Sequence, residues 1–388
     1  MSEYYEFRGI TWDHPRGYES IIAVSDAFRV EHPDVKITWD IRSLKDFGDY
    51  PVTELAKKYD FIMMDHPHIG SAVKAGALVP LDRYLSEEFL RDQEENSVGR
   101  SYESYRMSGH QWALAVDAAA QISAYREDLL KQNEEKIPKN WRQVAELAKR
   151  LSGNTKLAIP LCQTDSYCCF LSLCANHGGE QVFSETNGIA NETMCYALEL
   201  LSEIVPYLHE KSLDMNPIQA LDLMADTNEI AYIPLLFGYS NYSRRNHKVR
   251  HLIKFTDIPS ETNVPSGALL GGVGLAVSSE CKKIPTAIEF VKFALCEKNQ
   301  KGIYFEHAGQ PGYLKAWKDP EVNAASNGFF ENTLATLRNS YLRPRYEGYN
   351  IFQEKAGLVI NEGLKKKMSP ESIAEELEAL FQKLKAGE

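Results

Sequence analysis

Phe7-Arg8-Gly9-Ile10-Thr11-Trp12 is followed at once by Asp13-His14-Pro15 and then by the segment from Tyr18 to His32. The first stretch reads as a strand, and the second puts Ile21, Val24, Ser25 and Phe28 on one helical face. Val35, Ile37 and Trp39 alternate as a second strand, and Phe61-Ile62-Met63-Met64 is a short apolar run suited to a buried third. A helix is expected around Thr53 to Lys58, between the second and third strands. The order βαβαβ predicts a parallel sheet with right-handed crossovers, hence an α/β fold.

Working outward, Ala113 to Asp117 reads as a strand, and a second strand-like stretch ends at Tyr125. Trp141, Val144, Leu147, Ala148 and Leu151 keep helical spacing, as do the apolar positions from Met194 to Val205. Ile230 to Leu236 and Gly274 to Val277 read as further strands. Ser369-Pro370-Glu371 opens a last helix striped by Ile373, Leu377, Leu380, Phe381 and Leu384. The 388 residues exceed the roughly 250–300 at which a single core stops growing, so two domains are expected. There is no internal repeat and no low-complexity linker.

The formal charge of −11 and the absence of any basic stripe longer than Lys365-Lys366-Lys367 argue against a nucleic-acid partner. No apolar run approaches the roughly 20 residues that span a bilayer. The first residues, Met-Ser-Glu-Tyr-Tyr-Glu-Phe-Arg, have neither a basic nor an apolar leader region. As it stands the sequence predicts a cytoplasmic protein, or a periplasmic or cell-surface one if an export signal has been removed. Seven cysteines, four of them at 162, 168, 169 and 174, lack paired C-x-x-C spacing and read as buried free thiols. No cofactor and no metal site is expected.

Asp13-His14-Pro15 follows the first strand and Asp65-His66-Pro67 the third. Ligands of open parallel sheets sit beyond the carboxyl ends of strands, so both tripeptides stand where a ligand would be. Three roles are open to Asp13, His14, Asp65, His66 and the nearby His68: ligand contact, a capped turn, or metal and acid-base chemistry. A small polar ligand with C–H surfaces would be met by flat apolar faces and paired polar groups. Trp12, Tyr18, Phe237, Tyr239 and Tyr242 offer faces, with core packing as the alternative; Asp13, Asp117, Gln121 and Asn241 offer hydroxyl partners. Arg343 and Arg345 could grip a carboxylate or close a buried ion pair. His307-Ala308-Gly309-Gln310-Pro311-Gly312 lacks a phosphate-loop lysine, and Gly271-Gly272-Val273-Gly274 lacks the acidic residue of a dinucleotide fingerprint. No G-x-S-x-G elbow points to a hydrolase.

Several stretches, in order, resemble the extracellular solute-binding proteins of carbohydrate ABC transporters, the maltose-binding-like branch. They are Phe28-Arg29-Val30-Glu31-His32-Pro33-Asp34-Val35, Tyr59-Asp60-Phe61-Ile62, Gly76-Ala77-Leu78-Val79-Pro80-Leu81-Asp82, Tyr125-Arg126-Glu127-Asp128-Leu129-Leu130 and Gly271 to Val277. The resemblance spans nearly the whole chain. It implies a two-lobed periplasmic-binding-protein fold with an interlobe cleft. Lobe 1 is expected over 1–116 and 262–304 and lobe 2 over 117–261 and 305–388, with hinge crossings near Asp117, Pro259 and Phe305. It also implies that the loop Leu235 to Tyr242 carries Tyr239 and Asn241 to the cleft. The function implied is closure on a small polar ligand, a sugar, sugar acid or carboxylate, with ABC-transporter membrane subunits as partners. Two alternatives stay open: a lyase or isomerase using His14 and His66 on the same fold, and a cytosolic ligand sensor.

Overall fold

The structure is a computed structural model describing residues 4–387 apart from Ser152, His247 and Asn263. The longer strands are β1 (Tyr5–Trp12), β2 (Val35–Arg42), β3 (Phe61–Met64), β4 (Ala113–Tyr125), β5 (Ile230–Phe237) and β6 (Leu270–Val277). Contacts divide the chain into two units. Unit 1 comprises Met1–Ala119, Gly271–Asn323 and Arg345–Gly348; unit 2 comprises Ala120–Leu270, Ala324–Pro344 and Tyr349–Glu388.

In unit 1, β1 pairs in parallel with β2, Tyr5 opposite Val35 through Trp12 opposite Arg42, and on its other side with β3. Between β1 and β2 runs α1 (Pro15–Glu31), whose first turn is preset by Pro15 and capped by His14. Its buried face contains Ile21, Val24, Ser25 and Phe28, and Phe28 meets Phe290 and Phe293 edge-on at 5.4 and 5.3 Å. The parallel order expected of the βαβαβ series is found in β1, β2 and β3. β6 runs antiparallel to β3, with Gly274 opposite Met64 and Val277 opposite Phe61. It enters the unit from a distant part of the chain, so no local crossover sets its direction. Gly272 takes φ +97°, and a Cβ there would stand 2.6 Å from the Asp117 carbonyl oxygen, so only glycine fits.

Where two strand segments were expected before Tyr125, a single strand, β4, runs through Ala118-Ala119-Ala120. Alanines blur the alternation that marks a strand, but the backbone is held: Ala118 exchanges hydrogen bonds with Gln310, whose own amide donates to the Ala118 carbonyl at 2.8 Å.

In unit 2, β5 runs antiparallel to the end of β4 and shifts register between Ile233 and Leu236. Pro234 sits in that bulge, as a proline within a sheet must, and its carbonyl accepts from Ser123 Oγ at 2.8 Å. The helix Gln163–Gly178 is buried continuously from Asp165 to Ala175 and packs against the helix Tyr349–Lys365. Cys168, Cys169 and Cys174 lie on it as buried free thiols; Cys281 is also buried, and Cys162, Cys195 and Cys296 are partly covered.

Candidate functional site

In unit 1 the carboxyl ends of β1, β2 and β3 are cross-linked by short-range bonds. Asp13, exposed, donates its backbone N–H to the Arg42 carbonyl at 2.8 Å. His14 is buried, and its Nδ1 accepts the Arg16 N–H at 3.1 Å, which caps α1. In the neutral imidazole that bond leaves the ring proton on Nε2, making His14 a donor there. Trp12 is core: its indole meets Phe47 at 5.2 Å, and Gly17 lies so close that a Cβ there would stand 2.5 Å from the ring.

Behind this turn, Arg16 holds Asp117 in two parallel bonds, Nε to Oδ2 at 2.8 Å and an Nη to Oδ1 at 2.5 Å. Both side chains are buried. Asp117 thus spends both its oxygens on a residue that the sequence reading did not single out. A signal existed: an arginine in the first turn of a helix faces the positive end of the helix dipole, which calls for a nearby carboxylate.

After β3, Asp65 caps the short turn His66–His68, accepting the His66 N–H at 2.9 Å, and its Oδ1 lies 3.2 Å from His66 Nδ1. His66 is wholly buried and edge-on to Tyr105, whose hydroxyl donates to the Met64 carbonyl. His68 bonds the Gly48 carbonyl through Nε2 at 2.8 Å. Arg345 donates from one nitrogen to the carbonyls of Glu103, Ser104 and Arg106 at 2.9 to 3.0 Å. Its own carbonyl would stand 1.8 Å from a Cβ at Gly70.

In unit 2, Tyr239 and Asn241 lie in and beside the turn Ser240–Ser243, both buried. Tyr242 donates to Asp222 at 2.5 Å, and burial, reinforced by that carboxylate, pushes its phenol up. Arg244 closes the turn, buried, donating to Ser240 Oγ at 3.1 Å; sequence reading missed it too. Gln121 accepts from Ser172 and donates to Cys169 Sγ at 3.5 Å. Arg343 donates to Gln353 at 3.1 Å and stands over the Phe237 ring at 5.9 Å. Near it Asp165 is pushed up to about 7 by burial, against the opposing pull of the Cys162 thiol bond and the Arg343 charge.

Among the described residues the grouping with metal-ligand composition is His209, Glu210 and Glu229, which includes no residue of the histidine tripeptides. His209 Nδ1 accepts the Lys211 N–H at 3.3 Å, so its proton points from Nε2 toward Glu229 at 2.8 Å. Lys156 lies 3.7 Å from Glu210. The grouping is an ion-pair network whose histidine has its proton where a metal would bind.

Comparison with known proteins accords with this architecture. Residues 11–167 match the family described as bacterial extracellular solute-binding protein. No curated protein matches the sequence. Among solved structures, a solute-binding protein of Agrobacterium radiobacter K84 in complex with ribitol superposes with a TM-score of 0.82 at 18% identity, covering 98% of this chain and 99% of that one. Maltose-bound MalE3 of T. maritima gives 0.81 at 17%, with 98% and 99% covered. A protein of Agrobacterium vitis S4 with bound D-mannitol gives 0.78 at 13%, covering 98% of each chain. The fold is that of the periplasmic binding proteins. The resemblance read from the sequence stands: the chain is similar to bacterial extracellular solute-binding proteins in the sequence of residues 11–167 and in fold throughout. No helix among the described residues is long and apolar enough to cross a membrane.

Proposed function

We propose that the protein is the solute-binding component of an ABC-type importer and takes a small polyol or sugar. The observation that carries this reading is the family match over residues 11–167, which contains both histidine tripeptides, joined to a fold shared over the whole chain with ribitol-, maltose- and mannitol-bound proteins. On this reading Asp13 and His14 at the end of β1, and Asp65 and His66 at the end of β3, meet ligand hydroxyls. Asp117 acts through Arg16 by holding the turn, and Tyr239 and Asn241 are the candidates contributed by unit 2. The partners would be the importer's membrane subunits, and the place of action the side of the membrane from which solute is taken up.

Support for binding over catalysis comes from His14. Its Nδ1 is committed to capping a helix, which favours a fixed hydrogen-bond donor over a group that takes up and releases protons. The test is a thermal-shift screen of polyols, hexoses, sugar acids and small carboxylates, followed by proton NMR of each hit in heavy water. Binding without chemical change, weakened by about 1–3 kcal/mol in His14→Ala, is expected. Conversion or deuterium uptake that disappears in His14→Ala or His66→Ala would establish an enzyme instead.

A further inference from the structure

Beside β2, the edge strand of unit 1, runs a groove of 570 Å³. Ile10 and Leu55, both buried, line its apolar part, and Tyr50 and Tyr59 add aromatic surface. Four charged side chains also border it: Asp40, Asp46, Arg42 and Lys58.

The two acids are already satisfied. Asp40 accepts from Arg8 at 2.7 Å and from the Tyr59 hydroxyl at 2.9 Å, and these bonds hold its carboxyl below the usual range. Asp46 accepts from Ser43 Oγ at 2.8 Å. The two cations are only partly satisfied, Arg42 by backbone carbonyls and the more distant charge of Asp46. Arg42 is 8% exposed and donates to the carbonyls of Met63 and Asp46 at 2.9 and 3.3 Å, while its Nε has no hydrogen-bond partner. Burial brings its guanidinium down to about 10. Among the described residues neither Arg42 nor Lys58 has a carboxylate within ion-pair distance. A buried guanidinium whose nearest opposing charge, Asp46, stands beyond ion-pair distance is costly, and a carboxylate is the partner its planar fork matches.

We propose that this groove is a second binding site, one that takes a small aromatic carboxylate with its ring against Ile10, Leu55 and Tyr50 and its charge toward Arg42 and Lys58. Arg42 touches the strand-end turn through its main-chain carbonyl, which accepts the Asp13 N–H, so the proposed contacts use different atoms from the solute site. The site does not rest on the transport reading.

The probe is 4-fluorobenzoate, titrated into the full chain and followed by fluorine NMR, with 4-fluorobenzamide as the uncharged control. Binding of the acid at least about tenfold tighter than the amide is expected. Lys58→Glu, an exposed change that leaves the fold intact, and Arg42→Gln should each weaken it by about tenfold or more, while Lys58→Glu leaves the polyol or sugar hits of the thermal-shift screen untouched. Arg42→Lys, which keeps the charge and loses the fork, should fall between. No binding at millimolar concentration, equal binding of acid and amide, or binding indifferent to Lys58→Glu would overturn the proposal. Should Arg42→Gln not fold, the Lys58→Glu result decides.

Discussion

Arg16 and Asp117 stand 101 positions apart in sequence and form a buried two-bond ion pair, at 2.8 and 2.5 Å. The pair fastens the start of α1 to β4 directly behind the Asp13-His14 turn. Removing one partner strands a buried charge, so Asp117→Ala should cost about 3–5 kcal/mol in chemical denaturation. Replacing both, Arg16→Met with Asp117→Leu, should recover most of that loss. A single-variant cost below about 1 kcal/mol would show that the pair does not hold the turn.

His14 serves α1 as a cap, and this can be separated from any contact with ligand. His14→Ala should lower stability by about 0.5–2 kcal/mol, and His14→Asn, which also caps, should restore it. If His14 also donates to solute from Nε2, Asn will not restore affinity. Equal recovery of stability and affinity in the Asn variant would assign the histidine to structure alone.

Asp165 gives the protein a pH dependence with a definite sign. Its folded value of about 7 lies above the ordinary carboxyl value, so the folded state holds a proton that the unfolded chain has released. Its contribution to stability should be constant below about pH 4. It should then fall by up to about 1.4 kcal/mol per pH unit as pH rises toward 7, and level off above. Asp165→Asn removes the titration, so its gain in melting temperature over the wild type should be larger at pH 8 than at pH 5. A pH-independent difference would refute this.

Gly70 is a steric necessity. With the Arg345 carbonyl oxygen 1.8 Å from where a Cβ would lie, Gly70→Ala must displace the segment that carries Arg345. A loss of about 1–3 kcal/mol or more is expected, together with faster amide hydrogen exchange over Arg345–Gly348.

The periodic parts of the fold were open to reading from sequence. β1, β2 and α1 announce themselves because one face of each is apolar, β3 because its four residues form an unbroken apolar run, and the capped helix Pro370–Lys385 by its apolar stripe. The helix Gln163–Gly178 gives no such stripe because it is covered on every side, leaving its cysteines as the only visible feature. β4 was read as two pieces because its alanines carry no alternation. Around the turns, the order Asp-His-Pro identified strand ends, but the partnership of Arg16 with Asp117 joins positions that no local pattern connects. The environments of Arg343 and Arg345 were equally hidden. Their shared motif gives no hint that one donates to Gln353 and the other to three backbone carbonyls.

Arg345–Gly348 belong to unit 1, although the chain on both sides of them belongs to unit 2. As the polypeptide leaves the ribosome, unit 1 therefore lacks its last segment until position 348 of 388 has been made. At roughly 5–20 residues per second, the carbonyls of Glu103, Ser104 and Arg106 wait on the order of ten seconds or more for their arginine. The nascent N-terminal segment must spend that interval incomplete. A chain truncated just short of Arg345 would leave it so permanently, with three carbonyls deprived of their donor and a vacancy beside Gly70.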